Sequence, residues 1–248
     1  MTRKRQENKL IAIWGAPGVG KSLTAAKLAW QYQQMKLRTA LVFCDFDTPM
    51  LPCMVPDGDY LRKQSLGSVF AAKTITRDLA EANQCTLKGI ERFSLYGLLK
   101  GEHHSIYPPA ESRQAEEYLS VLRTMFDVVV MDVSSILSGN RLSAAALRDA
   151  DKSVRLYGCD FKTLSFYASS RTYLGTLGIE DAPFYKVISD VTDEDRMRKM
   201  YQKPAFFLPH SNELTRQMLS GDVFRDLEYK ESRAYLDSIT LLAEELLS

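Results

Sequence analysis

The sequence predicts an α/β fold: a three-layer, doubly wound, mostly parallel sheet with helices on both faces. One observation is that short, nearly continuous apolar runs alternate with longer amphipathic stretches along the 248 residues. Such runs are typical of parallel strands that helices cover on both sides. The other is that three of these runs end at chemically distinctive residues, namely Gly15, Asp45 with Asp47, and Asp132. In a doubly wound sheet these carboxyl ends share one edge, where ligands bind.

The apolar runs give the order of the elements. Residues 10–14 predict a buried strand, and residues 23–35 carry apolar side chains at helical spacing. Residues 39–44 and 126–132 predict two further strands, the second of them closed by a carboxylate. Weaker strand candidates follow at 153–157, 184–188 and 205–208. The pattern therefore alternates strand and helix over most of the chain, as a parallel sheet requires.

Two regions depart from this alternation. Residues 48–113 contain several prolines, and we expect at least one helix near 68–82 and a strand at 93–96. We interpret this region as an elaboration of one domain. Residues 232–247 place apolar side chains on one helical face, which predicts a helix packed on the sheet. The expected organisation is a basic N-terminal tail, residues 1–8, and a single domain, residues 9–248.

Composition restricts the function classes. The net charge of +1 gives no global reason to expect a polyanionic partner, so any contact with nucleic acid would need a local basic patch. The four cysteines contain no C-x-x-C pair, which argues against structural zinc and suits a reducing compartment. No apolar run approaches the roughly 18 residues of a membrane-spanning helix. We therefore expect a cytoplasmic protein.

Residues 15–22 complete a phosphate-binding loop. They match G-x-x-x-x-G-K-[ST] at every fixed position, between a predicted strand and a predicted helix. Main-chain N–H groups of such a loop surround an anion, and the helix N-terminus adds partial positive charge. Lys21 is expected to reach the β- and γ-phosphates and Ser22 to ligate Mg²⁺. The predicted nucleotide-binding residues are Gly15, Ala16, Pro17, Gly18, Val19, Gly20, Lys21, Ser22 and Leu23.

Three carboxylates complete the predicted site. Asp132 ends an apolar strand, the position from which an aspartate holds Mg²⁺ beside the loop serine. Asp45 and Asp47 lie on alternating sides of an extended chain, so only one of them can face the phosphates directly. We assign Asp47, with Lys21, to catalysis and Asp45 to support of the metal shell. The alternative is that both aspartates form a turn before Pro49.

Two adjacent histidines, His103 and His104, carry no predicted role. Neighbouring residues do not share a face of a regular element, and no carboxylate stands at metal-ligand spacing in the sequence. We therefore expect them on a surface turn.

Together these residues resemble the deviant-Walker ATPases, the family of septum-positioning MinD and partitioning ParA proteins. The loop at 15–22, the segment at 44–47 and the strand at 128–132 carry the resemblance, which covers most of the chain. It implies ATP and Mg²⁺ as ligands and slow hydrolysis of ATP to ADP and phosphate. It also implies an ATP-dependent homodimer and a protein partner in a localised machinery, which could recruit the chain to a membrane or pole. Residues 13–18 and 98–102 look most similar to the TadZ/CpaE branch, which positions pilus and secretion machinery.

The sequence departs from the family pattern at three places. The family supplies a lysine across its dimer from the second loop position, which is Ala16 here. Relatives read adenine with an asparagine where this chain has Ile188, Ser189 and Asp190. The chain ends in an acidic stretch rather than the basic amphipathic helix with which MinD-like proteins bind membranes. The resemblance therefore gives only weak support for activation by a lysine of a second subunit, for a preference for adenine and for direct membrane binding.

Three functions remain open at this stage. The first is a nucleotide switch that positions or assembles a cellular machine for pilus biogenesis or secretion, partition or septum placement. The second is a metabolic P-loop enzyme, a small-molecule kinase or an ATP-dependent ligase, whose pocket residues 50–106 could supply. The third is a non-hydrolysing scaffold that keeps nucleotide as a structural ligand, which the absence of a lysine at position 16 makes credible.

Overall fold

Seven parallel strands form one sheet in the computed structural model, which describes residues 8–55, 64–179, 182–201 and 206–248. The tail predicted at residues 1–8 lies almost entirely outside the described residues. The strands are β1 (Lys9–Gly15), β2 (Thr39–Phe43), β3 (Phe93–Tyr96), β4 (Val128–Asp132), β5 (Lys152–Tyr157), β6 (Tyr185–Val191) and β7 (Phe206–Pro209). Their order in the sheet is β3-β2-β4-β1-β5-β6-β7, and every pair of neighbours is parallel.

Helices connect the strands and cover both faces of the sheet. They are α1 (Lys21–Gln34), α2 (Leu51–Met54), α3 (Leu66–Phe70), α4 (Arg77–Ala82), α5 (Ser112–Met125), α6 (Arg141–Asp149), α7 (Phe161–Thr176), α8 (Glu194–Met200), α9 (Asn212–Ser220) and α10 (Arg233–Leu247). Short 3-10 turns lie at His104–Ile106 and Lys230–Ser232. The predicted three-layer, doubly wound α/β fold is confirmed, with all described strand pairs parallel.

Both faces of β1 are buried, which explains its continuous apolar sequence. Ile11 and Ile13 belong to a core that includes residues of α1 and α10. Leu10 and Ala12 face the opposite side and pack in a second core with residues of α5 and α6. The alternation follows from the two-residue period of a strand, and the two cores fix β1 at the centre of the sheet. The loop that follows β1 is therefore held at the middle of the carboxyl edge.

The prediction of at least one helix near 68–82 is confirmed, and the structure has two helices there, the end of α3 and the whole of α4. Thr76 lies between the two helices in an extended conformation, and its hydroxyl accepts a hydrogen bond from the Leu79 N–H at 3.2 Å. A threonine in this geometry starts a new helix rather than continuing the previous one. The predicted strand at 93–96 is confirmed as β3. The predicted C-terminal helix is confirmed as α10, which packs against α1 and β7.

A buried lysine ties the C-terminal region to the helix that follows the loop. The Lys27 Nζ atom, on α1, donates to Gln217 Oε1 at 2.5 Å and to the carbonyls of Val223 and Arg225 at 2.7 and 2.9 Å. Burial lowers the pKa of Lys27 to about 8, while the charge of nearby Glu213 opposes that shift. Lys27 therefore serves as a structural crosslink between α1 and the segment around α9.

We expect Lys27→Met to lower the free energy of unfolding by about 2–4 kcal/mol, because three acceptors lose their buried donor. Chemical denaturation followed by circular dichroism measures this loss. Lys199→Met, at an exposed position on α8, is the matched control and should change stability by less than about 0.5 kcal/mol. Equal stability of the two variants would contradict a structural role for Lys27.

Candidate nucleotide-binding site

The loop between β1 and α1 adopts a conformation that only its glycines tolerate readily. Gly18 and Gly20 have φ angles of 82° and 80°, in the left-handed region that L side chains rarely adopt. Gly20 is the N-cap residue of α1, and no side chain caps the helix there. The N-terminus of α1 therefore keeps main-chain N–H groups and its partial positive charge for an anion.

Lys21 lies against this loop with neutral partners. Its Nζ atom donates to Ser135 Oγ at 2.6 Å and to the Ala16 carbonyl at 3.3 Å. Burial lowers its pKa, and the charges of Asp132 and Asp45 act in the opposite direction. Within the described part of the chain, no carboxylate forms an ion pair with Lys21. The ammonium group is thus mostly removed from water without a contacting anion, which favours the binding of one.

Asp132 ends β4 in a fully buried position beside the loop serine. Burial raises its pKa to about 7, whereas a hydrogen bond with Ser22 and the charge of Lys21 lower it. Its Oδ1 atom has no hydrogen-bond partner among the described residues. A buried carboxylate oxygen without a hydrogen-bond partner is unusual, and a bound cation would satisfy it. The serine hydroxyl and the carboxylate together provide oxygen ligands of the kind that Mg²⁺ prefers. These two residues fit the predicted metal role.

Asp45 takes the turn-forming role that was the alternative interpretation. Its Oδ1 atom accepts hydrogen bonds from the N–H groups of Asp47 and Thr48 at 3.0 and 2.9 Å. Its charge nevertheless acts on both Lys21 and Asp132. Asp45 therefore shapes the segment after β2 and adds negative potential to the site, and its place in a metal shell stays a prediction.

Asp47 is exposed and contacts the histidines rather than the loop lysine. Its Oδ1 atom lies 2.6 Å from His104 Nδ1 and 3.4 Å from His103 Nε2. The two histidines lie on the expected surface turn, but the centroids of their rings are 4.0 Å apart, so the premise that adjacent residues do not share a face is wrong here. In this structure the Asp47 carboxylate contacts the two histidines and not the phosphate loop. Its catalytic role therefore stays a prediction.

Sequence reasoning missed two residues that organise the site. Ser135 accepts from Lys21 and donates to the Gly15 carbonyl at 2.8 Å. Asn140 donates to the Cys44 carbonyl at 2.7 Å and so joins the end of β2 to the loop after β4. Both residues follow β4 at the same carboxyl edge as the phosphate loop. Their position after an apolar, carboxylate-ended strand was the available signal.

A cavity of about 490 Å³ opens beside the loop. Pro17, Val19 and Leu23 line one side of it, together with residues from the carboxyl ends of β6 and β7 and from the segments that follow β5 and β7. Its size suits a nucleoside. Ser189 lines it too, but its hydroxyl donates to the Val19 carbonyl at 2.6 Å. Ser189 thus holds the loop in position.

A parallel sheet with a glycine-rich loop after its central strand is the fold of the P-loop NTPases. The variant of that fold is the one found in ParA and MinD ATPases. A ParA family ATPase from Chlorobium tepidum TLS superposes with a TM-score of 0.77 at 12% identity, over 96% of this chain and 99% of that one. MinD from Pyrococcus horikoshii OT3, complexed with Mg-ADP, gives 0.73 at 17% identity over 96% and 95%.

A variant of McdA from Cyanothece, in complex with ATP, gives a TM-score of 0.62 at 15% identity over 97% of both chains. No family model matches the chain, and no curated protein matches it. The similarity therefore lies in the fold, over nearly the whole length of the chain. No helix among the described residues has the length and apolar character needed to cross a membrane.

The raised pKa of Asp132 gives a stability prediction. Between the ordinary value of 3.8 and the folded value of about 7, the folded chain holds a proton that the unfolded chain has lost. The contribution of this group to the free energy of unfolding therefore falls as pH rises through that window. We expect Asp132→Asn to stabilise the nucleotide-free protein at pH 8 by an amount on the order of 1 kcal/mol, and to change it little at pH 4.

Thermal unfolding at the two pH values measures the effect. Asp127→Asn is the control of opposite sign, because hydrogen bonds from Arg38 lower the pKa of Asp127. That stability is present above the ordinary pKa of the carboxyl and is lost in acid. Destabilisation by Asp132→Asn at pH 8 would contradict the conclusion that burial of the charged Asp132 carboxylate destabilises the nucleotide-free protein.

Proposed function

We propose that this chain is a Mg-ATP-binding switch of the ParA/MinD type that positions or assembles a cellular machine and hydrolyses ATP slowly to ADP and phosphate. The observation that carries the proposal is the Lys21 ammonium group, which is half-buried against the loop and, among the described residues, donates hydrogen bonds only to Ser135 and the Ala16 carbonyl. The binding of Mg-ADP by MinD and of ATP by the McdA variant, which share the fold, supports the choice of ligand.

Each residue of the site has a task in this proposal. The N–H groups of residues 15–22 bind the phosphates, and Lys21 neutralises charge on the β- and γ-phosphates. Ser22 and Asp132 hold Mg²⁺, which would neutralise further phosphate charge. The cavity beside Leu23 receives the nucleoside, with the base close to Ser189 and Asp190.

A route from nucleotide to surface passes through Ser135. If Lys21 turns toward a γ-phosphate, Ser135 loses its donor and the loop after β4 loses one constraint. The next residue, Ile136, is 64% exposed, so a rearrangement here changes an apolar surface that another chain can recognise. Asn140 extends the change to the end of β2 through its bond to the Cys44 carbonyl. This surface is our candidate for the ATP-dependent homodimer contact or for a protein partner.

Ala16 argues for slow turnover. The side chain at this position carries no charge and is fully buried, so it cannot neutralise phosphate on a second subunit. A switch that stays in its ATP state for long periods tolerates this loss, whereas an enzyme with rapid turnover does not. We place the chain in the cytoplasm and attribute any recruitment to a membrane or pole to its partner.

A metabolic P-loop enzyme is the second candidate, because a cavity of about 440 Å³ lies beside Asp47, Asn140 and Arg141. Such a cavity could receive a small polar substrate. Light scattering separates the candidates. ATP-dependent growth in mass supports the switch, and a chain that stays monomeric and turns over only with an added metabolite supports the enzyme.

We expect Lys21→Ala to weaken Mg-ATP binding at least 100-fold, because the buried cation is the principal charge at the phosphate position. Isothermal titration calorimetry measures the affinity. Lys199→Ala, which removes an exposed lysine on α8, should bind within about twofold of the parent chain. Equal affinity of Lys21→Ala and the parent would end the proposal that this loop binds nucleotide.

A further inference from the structure

Three potential metal ligands converge at the surface where the segment after β2 meets the turn at His104–Ile106. One oxygen of Asp47 lies 2.6 Å from His104 Nδ1 and 3.4 Å from His103 Nε2. One ligand atom from each of the three residues lies within 4.8 Å of the others. The set therefore comprises two imidazole nitrogens and one carboxylate, held in space by segments that are far apart in the sequence.

The local fold explains why adjacent histidines converge. His103 is extended, with φ of −147° and ψ of 156°, and the chain then enters the 3-10 turn at His104. This change of direction brings the rings together, with their centroids 4.0 Å apart. The His104 N–H donates to the Phe46 carbonyl at 2.9 Å, which fixes the turn against the segment that carries Asp47.

Groups next to the ligands orient them. The Nδ1 atom of His103 lies 3.0 Å from Ser105 Oγ, so the ring presents its Nε2 atom to Asp47. Ligation through Nε2 requires the ring proton to move to Nδ1, which then gives up the hydrogen bond that it accepts from the Ser105 N–H at 3.3 Å and donates to the hydroxyl, as is usual for ligating histidines. The Asp47 main chain is fixed by its N–H bond to Asp45 Oδ1 at 3.0 Å.

We propose that Asp47, His103 and His104 form a binding site for a divalent transition metal of the zinc class. Two imidazoles and a carboxylate suit Zn²⁺, Co²⁺ or Ni²⁺, whereas Mg²⁺ prefers an all-oxygen set. Three protein ligands leave a coordination position open. Asp47 and His104 also line the cavity of about 440 Å³, which gives that position room for water or an anionic ligand.

Occupation of the site would hold the Asp47 carboxylate on the metal. This consequence rests on the proposed function, because Asp47 is the residue we assign to hydrolysis, whereas the metal site itself does not depend on nucleotide. The bare alternative is a hydrogen-bonded surface pair of aspartate and histidine, which contributes little energy and needs no second imidazole. The two alternatives differ in whether the three residues bind metal together.

The test is a titration of the tag-free, chelator-treated full chain with Zn²⁺ alone, without nucleotide, by isothermal titration calorimetry. We expect a saturable site, at least tenfold weakened by His103→Ala, by His104→Ala and by Asp47→Ala. His210→Ala is the matched control. His210 Nδ1 also lies 2.6 Å from a carboxylate, that of Asp190, and the other two histidines of the chain are the two proposed ligands, so no second imidazole joins this pair. This control should keep the parent affinity.

Co²⁺ absorption spectra add a readout of ligand type. Nitrogen and oxygen ligation gives visible d–d bands without the charge-transfer band that thiolate ligation, for example at exposed Cys53, would produce. Thermal unfolding establishes that each variant folds, as expected for these exposed side chains. Absence of Zn²⁺ binding by the parent chain, a thiolate band, or parent-like affinity in the histidine variants would overturn the proposal. Because the titration omits nucleotide, it fails or succeeds independently of the switch.

Discussion

The site depends on the burial of one ammonium group beside a loop that only glycine can shape readily. The left-handed conformations at Gly18 and Gly20 turn the chain so that Lys21 lies against it and contacts Ser135. The cost of burying this cation is not offset by a contacting carboxylate in the described part of the chain. Two packed cores hold the surrounding strands in place. In the proposed function, a phosphate group would supply the missing countercharge.

Asp132 is a buried carboxylate without a contacting cation among the described residues, and a complex of Mg²⁺ with a nucleotide would supply the opposite charge to both Asp132 and Lys21. Its carboxylate is buried, its pKa is raised to about 7, and one oxygen has no hydrogen-bond partner among the described residues. In the proposed function, Mg²⁺ accompanied by phosphate would place positive charge at Asp132 and negative charge at Lys21. In sites of this kind, side chains that suit the ligand lower the stability of the ligand-free protein, and ligand binding restores that stability.

The sequence predicts those parts of the fold that local pattern determines. The apolar run before Gly15 and the spacing from Gly15 to Ser22 are enough to place β1, the loop and α1, because period and glycine content fix them locally. Periodicity alone does not predict the break between the two helices at 68–82, since that break depends on how Thr76 caps the second helix. The contacts of Ser135 and the meeting of Asp47 with His104 depend on sheet order, which brings together residues 114 and 57 positions apart.

We propose above all that the main-chain amides of the glycine loop bind a triphosphate, and that loss of the hydrogen bond between Lys21 and Ser135 changes the loop after β4. Hydrogen–deuterium exchange of the full chain, with and without saturating Mg-ATP, tests this proposal at residue level. If the loop binds the triphosphate and Ser135 responds, exchange slows at residues 16–22 and changes at residues 134–137. Unchanged exchange throughout residues 16–22 at saturating Mg-ATP would contradict the proposal.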